Sequence, residues 1–237
     1  MQGCRSWDCF LADPGAFSIG SASRTLAVSV LEGSVSALER LDGQFFCEAF
    51  STGDLWRLWP DFRPKTVYLD IETDGGQSGN AITTVGLYDG ETFTCLIKGV
   101  DLDSFPEVIA RYDMMVTFFG AGFDVPMLRK AFPYARYPRL HLDLCFALKK
   151  IGIRGGLKNI EKQLGLRRGA GVDGLSGLDA IRLWREYRNG RDSSLATLIE
   201  YNREDVVNLE HLAQVTFDRS KGLLMDGYGL TIAHLDQ

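Results

Sequence analysis

The sequence predicts an α/β protein, a sheet with helices packed against it, and two observations carry that expectation. Three strand-like runs stand in a row between residues 65 and 99, and helix-like and strand-like runs then alternate until the chain turns wholly helical. Strands first and alternation afterwards build a single sheet whose faces are covered by helices.

Residues 65–72, "KTVYLDIE", mix β-branched and aromatic side chains and read as the first strand. Residues 81–99, "AITTVGLYDGETFTCLIKG", are two alternating runs around Asp89-Gly90, a strong hairpin signal. A helix over about 104–112 follows, with Ser104 as N-cap and Pro106 in its first turn. "MVTFFG" (115–120) is a buried strand entering the turn "AGFDVP", "PMLRKAF" a helix started by Pro126, and "RLHLDL" (139–144) the fifth strand. The rest is helical: "GLKNIEKQLGL", then "LDAIRLWREYRNG" with Gly190 at C′, then the long amphipathic "SLATLIEYNREDVVNLEHLAQV". Upstream, "SVSALERL" reads as a short helix and "DLWRLWPDFRP" as an aromatic lead-in packed on the next element. The expected organisation is an extension over 1–62, a domain over 63–217 and a tail over 218–237.

A chain of 237 residues, 45% hydrophobic and 24% charged, can bury one substantial core. No apolar run approaches the roughly 20 residues of a membrane span. The most apolar early segment, "TLAVSVLEGSVSAL" (25–38), is broken by Glu32 and Gly33 and lacks a basic start joined to a cleavage site, so no export signal and no membrane partner are expected. Five cysteines, Cys4, Cys9, Cys47, Cys95 and Cys145, are an odd number without a C-x-x-C pair, and His141, His211 and His234 complete no zinc spacing. Reduced thiols and a cytoplasmic location follow as the expectation. Protein partners cannot be read from the chain.

The net charge of −5 argues against a protein that coats nucleic acid nonspecifically. It hides an asymmetry: residues 129–168 carry +9, leaving −14 elsewhere. So dense a basic tract suits phosphate contacts, with a solvated helical face as the alternative. "GAGVDG" (169–174) matches G-x-G-x-x-G, but it follows "LGLRR" rather than a strand and no βαβ unit surrounds it. It is read as a flexible loop near the cleft, without a dinucleotide cofactor. Gly155-Gly156, ahead of a helix, offers backbone N–H groups to a phosphate.

Four carboxylates stand at element edges. Asp70 and Glu72 are two apart on a strand and therefore share a face, where like charges repel; a bound cation compensates for that, and an acidic turn is the alternative. Asp124 lies in the turn after the fourth strand, and Asp205 on the last helix with Tyr201 one turn before it. Carboxylates converging from two strand ends and a helix require divalent cations, and suit two-metal in-line displacement at phosphorus.

"YLDIETDG", "FFGAGFDVPML", "HLDL", "GLKNIEKQLGL" and "YNREDVVNL" resemble the motifs of the DEDD superfamily of 3′–5′ exonucleases, and look most like its YprB-type ribonuclease H-like branch. The resemblance covers about 65–215, with "WRLWPDF" similar to that branch's lead-in. It implies a ribonuclease H-like fold, a central mixed five-stranded sheet with three antiparallel strands first and then two parallel, flanked by helices. The histidine of DEDDh enzymes, five residues before the final aspartate, is here Glu200; Tyr201 at minus four gives the DEDDy pattern.

Carried over, the resemblance implies that Asp70 bridges two divalent cations, Mg²⁺ or Mn²⁺, while Glu72 and Asp205 complete one site. Asp124 holds the second metal, often through water, and Tyr201 orients the attacking water. The substrate implied is a single-stranded DNA or RNA 3′ end. Candidate substrate contacts are Thr73, Phe123, His141, Asp143, Lys158, Arg167 and Arg168; for His141 and Asp143 a structural hydrogen bond is the alternative. A nucleic-acid-binding or assembly module with little activity, and a structure-specific endonuclease using the same site, are the other readings.

Overall fold

The computed structural model describes residues 6–227. Its strands are β1 Thr66–Thr73, β2 Ile82–Tyr88, β3 Phe93–Ile97, β4 Met114–Thr117 and β5 Leu140–Asp143, in the order β3-β2-β1-β4-β5. β1, β2 and β3 pair antiparallel, while β4 and β5 run parallel to β1. The five strands thus form the mixed sheet that the sequence predicts. The α-helices among the described residues are α1 Trp7–Ala12, α2 Ser21–Glu39, α3 Gly43–Ala49, α4 Trp59–Phe62, α5 Phe105–Ile109, α6 Asp124–Ala131, α7 Leu144–Lys150, α8 Leu157–Gln163, α9 Gly177–Arg188 and α10 Asp192–Gly227. None of them is long and apolar enough to cross a membrane.

β1 holds the centre of the sheet because both its faces are apolar. Val67, Leu69 and Ile71 join Val85, Leu87, Phe105, Ile109, Met115 and Leu128 on one side. Tyr68 joins Met114, Val116, Leu140 and Leu142 on the other, under Leu209 and Leu212 of α10 and Phe46, Trp59 and Phe62 from the N-terminal segment. Each such buried aromatic contributes about 2–3 kcal/mol. The Trp59 indole N–H donates to the Tyr68 hydroxyl at 3.0 Å, so the lead-in is tied to β1 by polar as well as apolar contact. Period two then places Asp70 and Glu72 on the Tyr68 side, which is the α10 side.

Several boundaries differ from the sequence reading, each for a tertiary reason. α2 is far longer than the short helix expected and runs through Gly33, since packing against α3 supplies stability that its serine and glycine content does not. α5 stops at Ile109, and the Ser104 hydroxyl donates to the Asp101 carbonyl at 2.7 Å instead of capping the helix. β4 ends at Thr117 rather than at 120, because the Asp143 carboxylate accepts the Phe119 and Ala121 amides, at 2.9 and 3.0 Å, and draws the chain out of the sheet. α6 begins at Asp124, two residues before Pro126; a proline in the first turn forfeits no hydrogen bond. The 169–174 loop is tethered: Val172 is buried beside Trp184 and Tyr201, and the Gly169 N–H donates to Glu204. α10 continues to Gly227, so residues 228–237 of the expected tail, like Cys4 and His234, lie outside the described residues.

Candidate active site

Asp70 and Glu72 leave β1 on the face that α10 covers, and α10 brings Asp205 against them. One carboxylate oxygen from each lies within 4.8 Å of the others. Glu72 and Asp205 are buried, while Asp70 is half-buried and faces a cavity also lined by Phe118, Lys158, Tyr201 and Asp205. Asp124 stands outside this trio. It is buried, and its Oδ1 accepts the Ile71 N–H at 3.1 Å, which fastens the start of α6 to β1 between the two strand carboxylates.

Burial raises the pKa of all four acids, and repulsion from neighbouring carboxylates adds to it. Asp70 is raised further by Asp124, Asp205 and Glu72, and Glu72 by Asp205 and Asp124. Asp124 is pushed up to about 7, by burial first, against the backbone N–H groups that hold its charged form. Burial likewise raises Asp205, opposed by the Arg168 guanidinium. A converging set of hard carboxylate oxygens that resist ionising together fits a divalent cation.

The ring of residues around the acids fixes their orientation. Asn202 is wholly buried and donates its Nδ2 to Asp70 Oδ2 at 2.9 Å. It fits because the residue opposite Asp70 in β2 is Gly86, where a Cβ would collide with the Asn202 amide. Arg168 grips Glu161 with Nε and Nη2 at 2.7 and 2.8 Å and donates to Asp205 as well, while Asn208 donates to Glu161 at 3.0 Å. Glu161 and Asp205 between them hold Arg168 charged in spite of its burial. Buried ions need this degree of pairing.

The Tyr201 hydroxyl accepts from Lys158 Nζ at 2.7 Å, and Lys158 also donates to the Leu175 carbonyl. Burial, then Asp205, raise the Tyr201 hydroxyl pKa, so it stays protonated. Because an ammonium donates to its oxygen, the Tyr201 O–H is left to donate into the cavity.

The other candidates divide. Lys158, Lys162, Arg167 and Arg168 line a cavity of about 290 Å³ that also reaches Glu161 and Asp173. The rest of the basic tract is elsewhere: Arg136 and Arg139 line a separate hollow with Arg40, and Arg129 stacks on Tyr137. Asp143 caps α7 through the Cys145 N–H while also accepting the Phe119 and Ala121 amides. His141 Nε2 lies 2.9 Å from the Thr117 hydroxyl, and burial lowers its pKa. Thr73 ends β1, its Oγ1 accepting the Gly75 N–H, and Phe123 is exposed at the start of α6.

Asn202 and Glu161 were not foreseen. Asn202 is three residues before Asp205 and thus on the same helical face; Glu161 is one of only two acids in the basic tract, a sign of pairing.

A family model described as RNase_H superfamily matches residues 67–216, which is most of the chain and spans every residue of the acidic site. The chain belongs to the RNase_H superfamily. The mixed sheet with β1 at its centre and the helices around it is the RNase H-like fold, and the buried acidic cluster of this superfamily member lies at the end of β1. Among solved structures, Brucella melitensis NrnC bound to pGG is similar at 21% identity, over 71% of this chain and 78% of that one, with a TM-score of 0.48. No curated protein sequence matches.

Proposed function

We propose that this superfamily member is a metal-dependent 3′–5′ exonuclease of the DEDDy type, in the YprB-type branch, acting on single-stranded DNA or RNA 3′ ends. One observation carries the reading: the Asp70, Glu72 and Asp205 oxygens converge within 4.8 Å beside a cavity that Asp70, Asp205 and Tyr201 line. Asp70, Glu72 and Asp205, with Asp124 on the flank, would hold two divalent cations, Mg²⁺ or Mn²⁺. Such ions, when bound, supply charge stabilisation at phosphate and a water of lowered pKa.

The chain's own residues do the rest. Asn202 sets the orientation of Asp70, and Arg168 that of Asp205. Tyr201 directs its O–H toward the attacking water, held in place by Lys158. Lys162 and Arg167 face the phosphates of the strand from the adjoining cavity. Thr73 and Phe123 are proposed to meet the terminal nucleotide, and His141 to support that wall through Thr117. Residues 63–217 form the proposed catalytic unit, with 1–62 as a packed extension and 218–237 as a tail. The unpaired thiols of Cys9, Cys47, Cys95 and Cys145 suit a cytoplasmic setting.

The test is digestion of matched DNA and RNA oligonucleotides in Mn²⁺, labelled at the 5′ or the 3′ end, beside circular single strands. A 5′ label should yield a ladder that shortens stepwise, a 3′ label should release a mononucleotide at once, and circles should survive. Cut circles would favour the endonuclease, and no hydrolysis of any substrate would favour the binding module.

A further inference from the structure

We propose that Phe119, backed by Phe146, is a platform on which a base of the single-stranded substrate stacks at the rim of the acidic cavity; this rests on the nuclease reading above. Phe118 lines that cavity together with Asp70, Tyr201 and Asp205, and Phe119 is the next residue out. Phe119 is 49% exposed, and Phe146 and Phe123 are 48% and 40% exposed, so three large aromatic side chains stand open to water around one loop. The Phe119 and Phe146 rings meet at 6.1 Å between centroids with 42° between their planes. One ring thus braces the other while leaving aromatic surface uncovered.

The arrangement is built rather than incidental. Phe119 has φ +63°, a left-handed conformation that a bulky side chain adopts only when its surroundings enforce it. Here they do. Asp143 accepts the amides on both sides of Gly120, those of Phe119 and Ala121, and the same carboxylate caps the helix that carries Phe146. Gly122 leaves room for the ring where it stands: a Cβ there would lie 2.7 Å from the tip of Phe119 and would shift it. The fold therefore holds an unfavourable backbone angle to keep a phenyl ring outside the core, one residue from Phe118, which lines the cavity of Asp70, Asp205 and the cationic Lys158.

A nucleotide is the occupant that matches both halves of this surface. Cations meet the backbone phosphates, and an aromatic ring meets a base whatever its sequence. Bases in a duplex are already stacked, so a platform of this kind selects single strands.

Equilibrium binding tests the proposal apart from catalysis. Fluorescence anisotropy with a labelled single-stranded oligonucleotide, in Ca²⁺, compares the wild-type chain with Phe119→Gly, which removes the ring and relieves the φ +63° strain, and with Phe119→Trp, which keeps an aromatic surface. Phe119→Gly should bind roughly tenfold or more weakly and Phe119→Trp about as well as wild type. A matched oligonucleotide with abasic residues at its 3′ end should bind wild type weakly and lose little more with Phe119→Gly. Binding of the intact oligonucleotide by Phe119→Gly within about twofold of wild type would overturn the platform, while stepwise hydrolysis by wild type in Mn²⁺ left the nuclease reading standing. A change in self-association alone, with oligonucleotide binding intact, would reassign the aromatic patch to protein contact and overturn it equally. Failure of wild type to bind any oligonucleotide would overturn both readings.

Discussion

Asp70 and Glu72 share one face of β1, and nothing on their own strand relieves the repulsion between them. Relief comes from single residues elsewhere: the Asn202 amide on Asp70, and Lys158 and Arg168 beside Glu72 and Asp205. Tyr201 is the member whose chemistry separates most cleanly from its packing. Its ring is buried beside Trp184 and Leu198, and its hydroxyl points to Lys158. Tyr201→Phe should keep the melting temperature and the Mn²⁺ affinity near wild type while kcat falls about 100-fold. A second prediction concerns Asp143, which sits in the same sheet end but serves the backbone. Asp143→Ala leaves the Phe119, Ala121 and Cys145 amides without their acceptor, and should lower unfolding stability by about 2–3 kcal/mol in urea titrations.

α10 is the element that assembles the site. It lies across β1 and β2, and its spacing carries Tyr201, Asn202 and Asp205 to one place. The approach depends on β2, where Gly86 opposite Asp70 leaves space for the Asn202 amide. Gly86→Ala should destabilise the fold by about 1–3 kcal/mol and weaken Mn²⁺ binding in calorimetry, since relief of the clash displaces Asn202 from Asp70. Elements of this kind mark the limit of what the sequence discloses. The strand period gave Asp70 and Glu72 a common face, and the helix period joined Tyr201 to Asp205, because both relations are local. That Gly86 must be small for Asn202, or that Asp143 ends β4 early, depends on contacts between residues far apart in the chain, which no periodicity encodes. α2 escaped for a related reason: its sequence is a poor helix former, and α3 and the core decide its state.

The charge of the whole molecule has the same logic. A chain of net charge −5 keeps four acids in or beside one cavity, and it answers them with Arg168 and Lys158 at close range. Burial and repulsion raise these acids above their unfolded-state values near 4, so the folded, metal-free protein binds protons more tightly than the unfolded chain. The stability associated with them is fully present below about pH 4 and is lost as pH rises through the native values, about 7 for Asp124. In EDTA the melting temperature should therefore fall between about pH 5 and 8, and the increment restored by Mn²⁺ should grow over the same range. Asp70→Asn removes one of the repelling charges at constant shape, so its metal-free melting temperature should fall less. The same substitution tests the central claim most directly. Wild type and Asp70→Asn, both shown to be folded by circular dichroism, are incubated with a 5′-labelled single-stranded oligonucleotide in Mn²⁺ and in EDTA. The account predicts stepwise shortening from the 3′ end by wild type in Mn²⁺ alone, and none by Asp70→Asn. Hydrolysis by wild type that persists in EDTA, or that Asp70→Asn matches in Mn²⁺, would contradict it.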